Sequence, residues 1–419
     1  DASFYIKGAL VLDAPDGGQV WFVGNSEDIT WTRTGSISTV KLEYSDNGGS
    51  TYVNSIAPSV VASLETYEWT VPDSIDTDIR VKVTDTTNAT VTDASAADFT
   101  IKGILSLTAP NAGTEEWIVG SSHAITWTRT GSIANVKLEY STDSGTSYPN
   151  EIIASTDAST GTYDWTIPDS IGTSLKVKVS DAADATVNDD SDAVFEIKGS
   201  LIVTAPNGTE EWVVDSSEDI TWTKTGTIST VKLDYSKDGG TLYDNAIVGS
   251  TAGADLSYAW TIPDDICSTT RVKIVDNSDS SVYDTSDSNF KIIGSVTLTA
   301  PNGAEEWVVG DSESITWTKV GSITNVKLEY SINSGSTYPT VIVGSTPAAG
   351  LSYSWTIPNS VYTTVRVKVA DAGDVTVFDV SNADFTIMPG FEVTAPNGSE
   401  VWTVDGSEDI TWITTGDCS

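Results

Sequence analysis

The stretch ITWTKTGTISTVKLDY at residues 220–235 decides the fold, because close variants of it recur along the chain. Its Ile-Thr-Trp string returns at intervals of 96, 95, 95 and 95 residues, which places a tryptophan at Trp31, Trp127, Trp222, Trp317 and Trp412. A second tryptophan lies ten residues earlier in every copy, and four copies carry a third within Tyr-x-Trp-Thr-[Val/Ile]-Pro. All 14 tryptophans therefore belong to one repeat. A period of about 95 residues is the size of a complete small domain.

Each copy is predicted to be an all-β domain. Residues 136–140 (VKLEY) and 175–179 (LKVKV) alternate apolar and polar side chains, as half-buried strands do. Turn-forming residues separate these segments every 8–12 residues or so, and no segment shows a helical period. Seven or eight short strands in about 95 residues predict a β-sandwich of immunoglobulin or fibronectin type III kind.

The repeat predicts four complete domains between two incomplete ends. The boundaries that we expect are 1–8 for the last strand of a preceding repeat, 9–103, 104–199, 200–294 and 295–390 for repeats 1 to 4, and 391–419 for a partial repeat 5. Joints as short as Lys102-Gly103 predict a semi-rigid rod, with four domains spanning roughly 140–160 Å. The ends indicate a segment of a longer array. The alternative is a filament in which residues 1–8 dock on the partial repeat of the next chain.

The charge balance excludes several function classes. The chain has 59 acidic and 21 basic residues, for a formal net charge of −38. Nucleic acids and anionic membrane surfaces require clustered cations, so neither is an expected partner. A single histidine and two cysteines leave no repeated His-based chemistry and no disulfide framework. No apolar run approaches the ~18 residues of a membrane-spanning helix, so no membrane insertion is expected in this segment.

The third copy carries a resemblance to a known family. Its strings are PNGTEEWVVDSSEDITWTKTGTISTVKLDYSKDGGTLY at 206–243, YAWTIPDDI at 258–266, RVKIVD at 271–276 and SDSNFKI at 286–292. These resemble the immunoglobulin-like repeat related to the yeast cell-wall Kre9/Knh1 N-terminal domain, which occurs in tandem in microbial cell-surface proteins. The resemblance implies an extracellular structural or adhesive module, and it brings no catalytic residues to carry over.

The first tryptophan of each copy is a candidate sugar-stacking residue. It follows a Pro-Asn-Gly-type turn near the predicted edge of the sandwich, where an indole can either complete the core or present a flat face to a glycan. The candidates are Trp21, Trp117, Trp212, Trp307 and Trp402.

Recurring aspartates around the predicted last hairpin are candidate calcium ligands. Carboxylates at a loop tip can supply the hard oxygen ligands that Ca²⁺ prefers, although aspartate is also an ordinary turn former. The candidates are Asp181, Asp184, Asp189, Asp276, Asp279, Asp284, Asp371, Asp374 and Asp379. No cofactor is expected from the sequence, with calcium as the alternative.

Three Asn-x-Ser/Thr strings are candidate N-glycosylation sites, at Asn88, Asn207 and Asn397. The two cysteines, Cys267 and Cys418, fall at unrelated places in the repeat and are expected to be incidental thiols, with an intermolecular bridge through Cys418 as an alternative.

These observations predict a non-enzymatic, extracellular structural protein that forms a semi-rigid rod in a cell-surface fibre, sheath or layer. Its partners would be other copies of itself or neighbouring repeats. The alternative is an adhesin or carbohydrate-binding array with glycan partners, and a third interpretation is a spacer region of a giant surface enzyme. Exposure of Trp117 and its equivalents would favour the adhesin.

Overall fold

A computed structural model describes residues 6–416 of the chain. The described chain forms two compact units. One reaches to Ser200 and includes Thr225–Thr227, and the other takes Leu201–Lys224 and the chain from Ile228 onward. Each unit contains two copies of the same pair of β-sheets, so the protein is a tandem array of all-β, immunoglobulin-like sandwiches.

Repeat 1 contains nine strands and one short 3₁₀ turn, Ala62–Leu64. The strands are β1 Ala9–Ala14, β2 Val20–Phe22, β3 Ser26–Thr34, β4 Thr39–Ser45, β5 Asn54–Val61, β6 Thr66–Thr70, β7 Asp76–Asp85, β8 Thr92–Ala94 and β9 Phe99–Lys102. The smaller sheet has the order β1-β3-β6, and the larger has the order β2-β9-β7-β4-β5 with β8 added on β7. The pair β2–β9 is parallel, and the other pairs are antiparallel.

Repeats 2, 3 and 4 have the same strand orders as repeat 1. Repeat 2 consists of β10 Ile104–Ala109, β11 Glu116–Ile118, β12 Ser122–Thr130, β13 Asn135–Ser141, β14 Asn150–Asp157, a 3₁₀ turn Ala158–Thr160, β15 Thr162–Thr166, β16 Gly172–Asp181, β17 Asn188–Asp190 and β18 Phe195–Lys198. Repeat 3 consists of β19 Ser200–Ala205, β20 Glu211–Val213, β21 Ser217–Thr225, β22 Thr230–Ser236, β23 Asn245–Ala252, a 3₁₀ turn Gly253–Asp255, β24 Ser257–Thr261, β25 Cys267–Asp276, β26 Tyr283–Thr285 and β27 Phe290–Ile293.

Repeat 4 and a terminal hairpin complete the described chain. Repeat 4 consists of β28 Ser295–Ala300, β29 Glu306–Val308, β30 Ser312–Val320, β31 Asn325–Ser331, β32 Thr340–Pro347, a 3₁₀ turn Ala348–Gly350, β33 Ser352–Thr356, β34 Tyr362–Asp371, β35 Phe378–Val380 and β36 Phe385–Met388. The hairpin pairs β37 Gly390–Ala395 with β38 Thr411–Thr415.

Alternation along the strands creates the core of each sandwich. In β13 the side chains of Val136 and Leu138 are fully buried, whereas the intervening Lys137 lies on the outer face. The second tryptophan of each complete repeat is buried in the core, with 1–3% exposure at the following positions: Trp31, Trp127, Trp222 and Trp317. The indole N–H of Trp127 donates to the carbonyl of Ala158, 3.0 Å away, so its polar atom is also satisfied. The prediction that these tryptophans form the cores is confirmed in the four complete repeats.

The chain outside these repeats is less enclosed. Trp412, on β38, is 58% exposed, since the hairpin β37–β38 packs against no second sheet within residues 6–416. The strand expected in residues 1–8 falls mostly outside the described residues, and residues 6–8 are not in a strand. Cys418 also lies outside them. No helix of the described chain is both long enough and apolar enough to cross a membrane.

Candidate functional site

The first tryptophans of the four complete repeats lie inside the sandwiches. Each is 7% exposed, at the following positions: Trp21, Trp117, Trp212 and Trp307. In repeat 1 the ring centre of Trp21 lies 4.9 Å from that of Phe99 and 5.9 Å from that of Trp69. Neither face of such an indole is open to a sugar ring. Trp402 differs, because it is 45% exposed.

The first and third aspartates of each candidate calcium set serve two separate structural roles. In repeat 2 the carboxylate of Asp181 accepts the backbone N–H of Ala183 at 2.9 Å and closes a tight turn. The carboxylate of Asp189 instead accepts the backbone N–H of Leu107 at 2.8 Å, which ties β17 to β10 in the other sheet. The same pairs recur in repeats 3 and 4, for Asp276, Asp284, Asp371 and Asp379.

The middle aspartate of each set caps its own loop. Asp184 accepts the backbone N–H and hydroxyl of Thr186, and Asp279 and Asp374 hold Ser281 and Thr376 in the same way. No group of three or more histidine, cysteine or acidic side chains converges on a point in residues 6–416. The nine aspartates therefore do not form a preassembled cage for Ca²⁺.

Asp184 and Asp374 also contact the preceding repeat. The Nζ of Lys102, the last residue of β9, lies 2.8 Å from the carboxylate of Asp184. This hydrogen bond and those from Thr186 lower the pKa of Asp184 to about 2. In the other unit, Lys291 of β27 lies 3.3 Å from Asp374. An ion pair therefore bridges the joint between repeats 1 and 2, and another bridges the joint between repeats 3 and 4.

A second contact at these joints comes from the Pro-Asp loop that follows the third tryptophan. The carboxylate of Asp73 accepts the backbone N–H of Ser132 in repeat 2 at 2.8 Å, and it also accepts the Ser132 hydroxyl. Asp264 accepts the backbone N–H of Ser322 in repeat 4 at 2.7 Å. In the sequence this loop has only the pattern of a turn. The signal for the interdomain contact is the recurrence of Pro-Asp in one repeat and Gly-Ser in the next.

The joint glycines are required by close packing. A Cβ on Gly103 would lie 2.7 Å from the Cδ1 of Ile133 and 2.9 Å from the carbonyl oxygen of Thr130. Gly294 meets Ile323 at the same distance in repeat 4. Only glycine fits at these joint positions without displacing its neighbours. The backbone therefore enters the next sandwich in close contact with that domain.

The candidate glycosylation residues have different surroundings. Asn88 is partly buried and its side-chain oxygen accepts from Thr90, while the side-chain nitrogen of Asn207 donates to Asp287 at 3.0 Å. Asn397 is exposed on the terminal hairpin segment. Cys267 is a partly buried free thiol.

Basic residues are concentrated on the outer face of the larger sheets. The strings Val-Lys-Leu and [Arg/Lys]-Val-Lys place three cations on this face in each complete repeat, which makes 12 of the 21 in the chain. They are Lys41, Arg80, Lys82, Lys137, Lys176, Lys178, Lys232, Arg271, Lys273, Lys327, Arg366 and Lys368. The outer face of the smaller sheet carries mainly threonine and serine instead. The net charge of the chain does not reveal this difference between the outer faces of the two sheets.

Comparisons with known proteins add a fold-level likeness. No protein-family model matches the chain, and no curated protein matches it. Among solved structures, the N-terminal four Ig domains of Dscam1 isoform 1.9 are 10% identical over 91% of this chain and 100% of that chain, with a TM-score of 0.25. The three N-terminal domains of the Highly Immunogenic Outer Capsid protein of bacteriophage RB49 are 12% identical over 68% of this chain and 99% of that chain, with a TM-score of 0.26. These values are too low to transfer any property of those proteins.

Proposed function

We propose that this chain is a non-enzymatic, extracellular structural protein whose tandem domains form a semi-rigid rod in a cell-surface fibre, sheath or layer. The observation that carries the proposal is the construction of the joints. At the joint of repeats 1 and 2, Lys102 pairs with Asp184, Asp73 caps Ser132, and Gly103 admits no side chain. The resemblance to Kre9/Knh1-type modules of microbial surface proteins supports the same function.

Domains on flexible tethers reorient freely, and relative motion is the default where interfaces are small. The joint of repeats 1 and 2 works against such motion, because its contacts lie at separate points around the linker. An ion pair and a cap that act together fix an angle better than either contact alone. A Cβ on Gly131 would come within 3.1 Å of Val23 in repeat 1, so the two domains also approach closely there.

Small-angle scattering of the full chain tests the rod. We expect a maximum dimension near the roughly 140–160 Å of four sandwiches in line. A compact globule of this length would instead have a radius of gyration of about 22 Å. An insertion of about twelve Gly and Ser residues after Gly103 is the matched flexible control. A wild-type distance distribution as broad as that of the insertion variant would reject the semi-rigid joint.

Antibody labelling of intact and permeabilised source cells tests the location. Labelling of intact cells is expected for a surface structure. Labelling that appears only after permeabilisation would contradict the extracellular assignment, whatever the scattering shows.

A further inference from the structure

Repeat 3 differs from the other complete repeats on the outer face of its larger sheet. In repeats 1 and 4 the arginine of this face is neutralised by an aspartate, with 2.5 Å between Arg80 and Asp98 and 2.6 Å between Arg366 and Asp384. These are charge-assisted hydrogen bonds, in which the carboxylate neutralises the charge of the guanidinium. The arginine of repeat 3 has no such partner.

The neutral residue Asn289 stands in repeat 3 where repeats 1 and 4 have the aspartate. Arg271 donates from Nε to the side-chain oxygen of Asn289 at 2.7 Å and from Nη1 to the carbonyl of Ser286 at 3.3 Å. Within residues 6–416 its Nη2 has no hydrogen-bond partner in the protein, and no carboxylate pairs with the guanidinium. Arg271 is thus held in place by neutral groups, with its charge and one N–H₂ group available.

A second cation on the same strand is also uncompensated. In repeats 1 and 2 the corresponding lysine lies near a glutamate, at 3.5 Å for Lys82 and 3.3 Å for Lys178. In repeat 3 that glutamate is replaced by the shorter Asp234, which pairs with Lys232 at 3.0 Å. Across the described chain no carboxylate lies within ion-pairing distance of Lys273.

Lys273 lies against two aromatic rings, whereas Lys82 and Lys178 lie over one tyrosine ring each. The Nζ of Lys273 lies 4.0 Å from the ring centre of Tyr283 and 5.7 Å from that of Tyr243. Tyr283 is 52% exposed, and the equivalent residues of repeats 1 and 2 are the non-aromatic Thr92 and Asn188. Lys273 can occupy only one face of the ring of Tyr283, so the exposed remainder of that ring is available for stacking.

Repeat 4 supplies a partial version of this surface. It has an exposed aromatic, Phe378, but Arg366 is neutralised by Asp384 and Lys368 has Glu329 at 3.9 Å. Among the complete repeats, repeat 3 therefore combines two uncompensated cations with an exposed tyrosine.

We propose that Arg271, Lys273 and Tyr283 form a binding site for a carboxylate-bearing sugar of an acidic polysaccharide. The two cations alternate on one strand, so their Cα atoms are about 6.8 Å apart, a distance that one sugar residue can span. The carboxylate would accept from the guanidinium and the ammonium, and the sugar ring would stack on the tyrosine. The net charge of −38 repels a polyanion at long range, so the attraction comes from the uncompensated cations of this face at short range. The site goes beyond the proposed structural role and does not depend on it.

Binding of the full chain to polygalacturonate, measured by calorimetry at low and physiological salt, tests the site. The matched neutral probe is methyl-esterified polygalacturonate, and the matched carboxylate without a sugar is polyglutamate. We expect polygalacturonate to bind about tenfold or more tightly than either. No binding to polygalacturonate, equal binding of the esterified polymer, or equal binding of polyglutamate would each overturn the assignment.

Asn289→Asp is the decisive variant, because it installs the aspartate that repeats 1 and 4 already tolerate. It should weaken polygalacturonate binding about tenfold without changing the melting temperature appreciably. Tyr283→Thr, which introduces the residue of repeat 1, should weaken binding about three- to tenfold. Thr223→Asp adds the same charge to the exposed outer face of the smaller sheet of repeat 3 and should leave binding unchanged. Equal losses for Asn289→Asp and Thr223→Asp would show general repulsion and reject the site.

Discussion

The core of repeat 2 and its joint with repeat 1 are built from opposite kinds of contact. Trp127 is 3% exposed, lies within an apolar cluster, and satisfies its N–H inside the domain. The ion pair of Lys102 and Asp184 joins side chains that are 20% and 40% exposed. Burial of a large aromatic is worth about 4–6 kcal/mol, whereas a solvent-exposed ion pair contributes about 0–1 kcal/mol. The free energy of folding therefore comes mainly from the cores of the repeats. The joint contacts mainly restrict the angle between neighbouring domains.

This difference predicts that core and joint substitutions separate two measurable properties. A core substitution should unfold one repeat and leave the others folded, because each sandwich has its own apolar cluster. A substitution of a joint side chain that leaves the packing intact should instead change the range of interdomain angles with little change in melting temperature.

The largest effect is expected for Trp127→Ala. Removal of the indole leaves a cavity and strands the carbonyl of Ala158, at a cost of about 3–5 kcal/mol to repeat 2. Calorimetry of the full chain should show one transition that moves down by roughly 10 °C or more, with the others unchanged. Thr128→Ala, on the exposed face of the same strand, is the control and should stay within about 0.5 kcal/mol. A uniform shift of every transition would mean that the repeats are not independent.

Repetition made the fold predictable. The alternation in VKLEY and LKVKV located β13 and β16, and the Ile-Thr-Trp strings located the core indoles. The short strand β17 has three residues, too few to show a period. Trp412 lies in the same string as Trp317 and yet is exposed, because burial depends on a second sheet and not on the local pattern.

The functional surfaces were less predictable from the sequence. The sequence shows the aspartates as a recurring set. It does not show that Asp184 pairs with Lys102 of another domain. A contact between two domains depends on how the domains are placed relative to each other. The hydrophobic pattern of a single repeat carries no signal for such a contact. The uncompensated charge of Arg271 arises from a single change, Asn289 for aspartate, which is visible only once the partner of each arginine is known.

An intermediate effect is expected where the joint meets the core. Gly103→Ala places a Cβ against Ile133 and the carbonyl of Thr130, which should cost about 1–3 kcal/mol through displacement of the joint. Gly172→Ala is the control, since a Cβ there meets only Leu175 at an ordinary 3.7 Å. Calorimetry of repeat 2 measures the cost. A melting temperature for Gly103→Ala equal to that of Gly172→Ala would show that the joint path is not fixed.

A smaller effect is expected at the left-handed residue after the 3₁₀ turn. Leu351 has a φ of 54°, whereas repeat 2 has Gly161 with a φ of 65° at the same place. Relief of this backbone strain should make Leu351→Gly more stable than Leu351→Ala by about 0.5–1 kcal/mol, because both variants lose the partial burial of the leucine, which is 44% exposed, and only the glycine relieves the strain. Urea unfolding of repeat 4 compares the two variants. Equal stabilities, or a less stable glycine variant, would contradict the expectation.

The smallest effect is the response of the joint to pH. The pKa of Asp184 is lowered to about 2 by the hydrogen bond from Lys102 and by those from Thr186, so its carboxylate is charged throughout the neutral range. Because the folded value lies below the ordinary value of 3.8, the contribution is fully present above about pH 4 and is lost as the pH falls through 2. A carbon-detected NMR titration of the carboxyl group measures this directly. Lys102→Met should raise the pKa toward 3.8 without restoring it fully, since Thr186 still donates two hydrogen bonds. Titration of wild-type Asp184 near 3.8, or an unchanged pKa in Lys102→Met, would show that the ion pair does not hold the joint in solution.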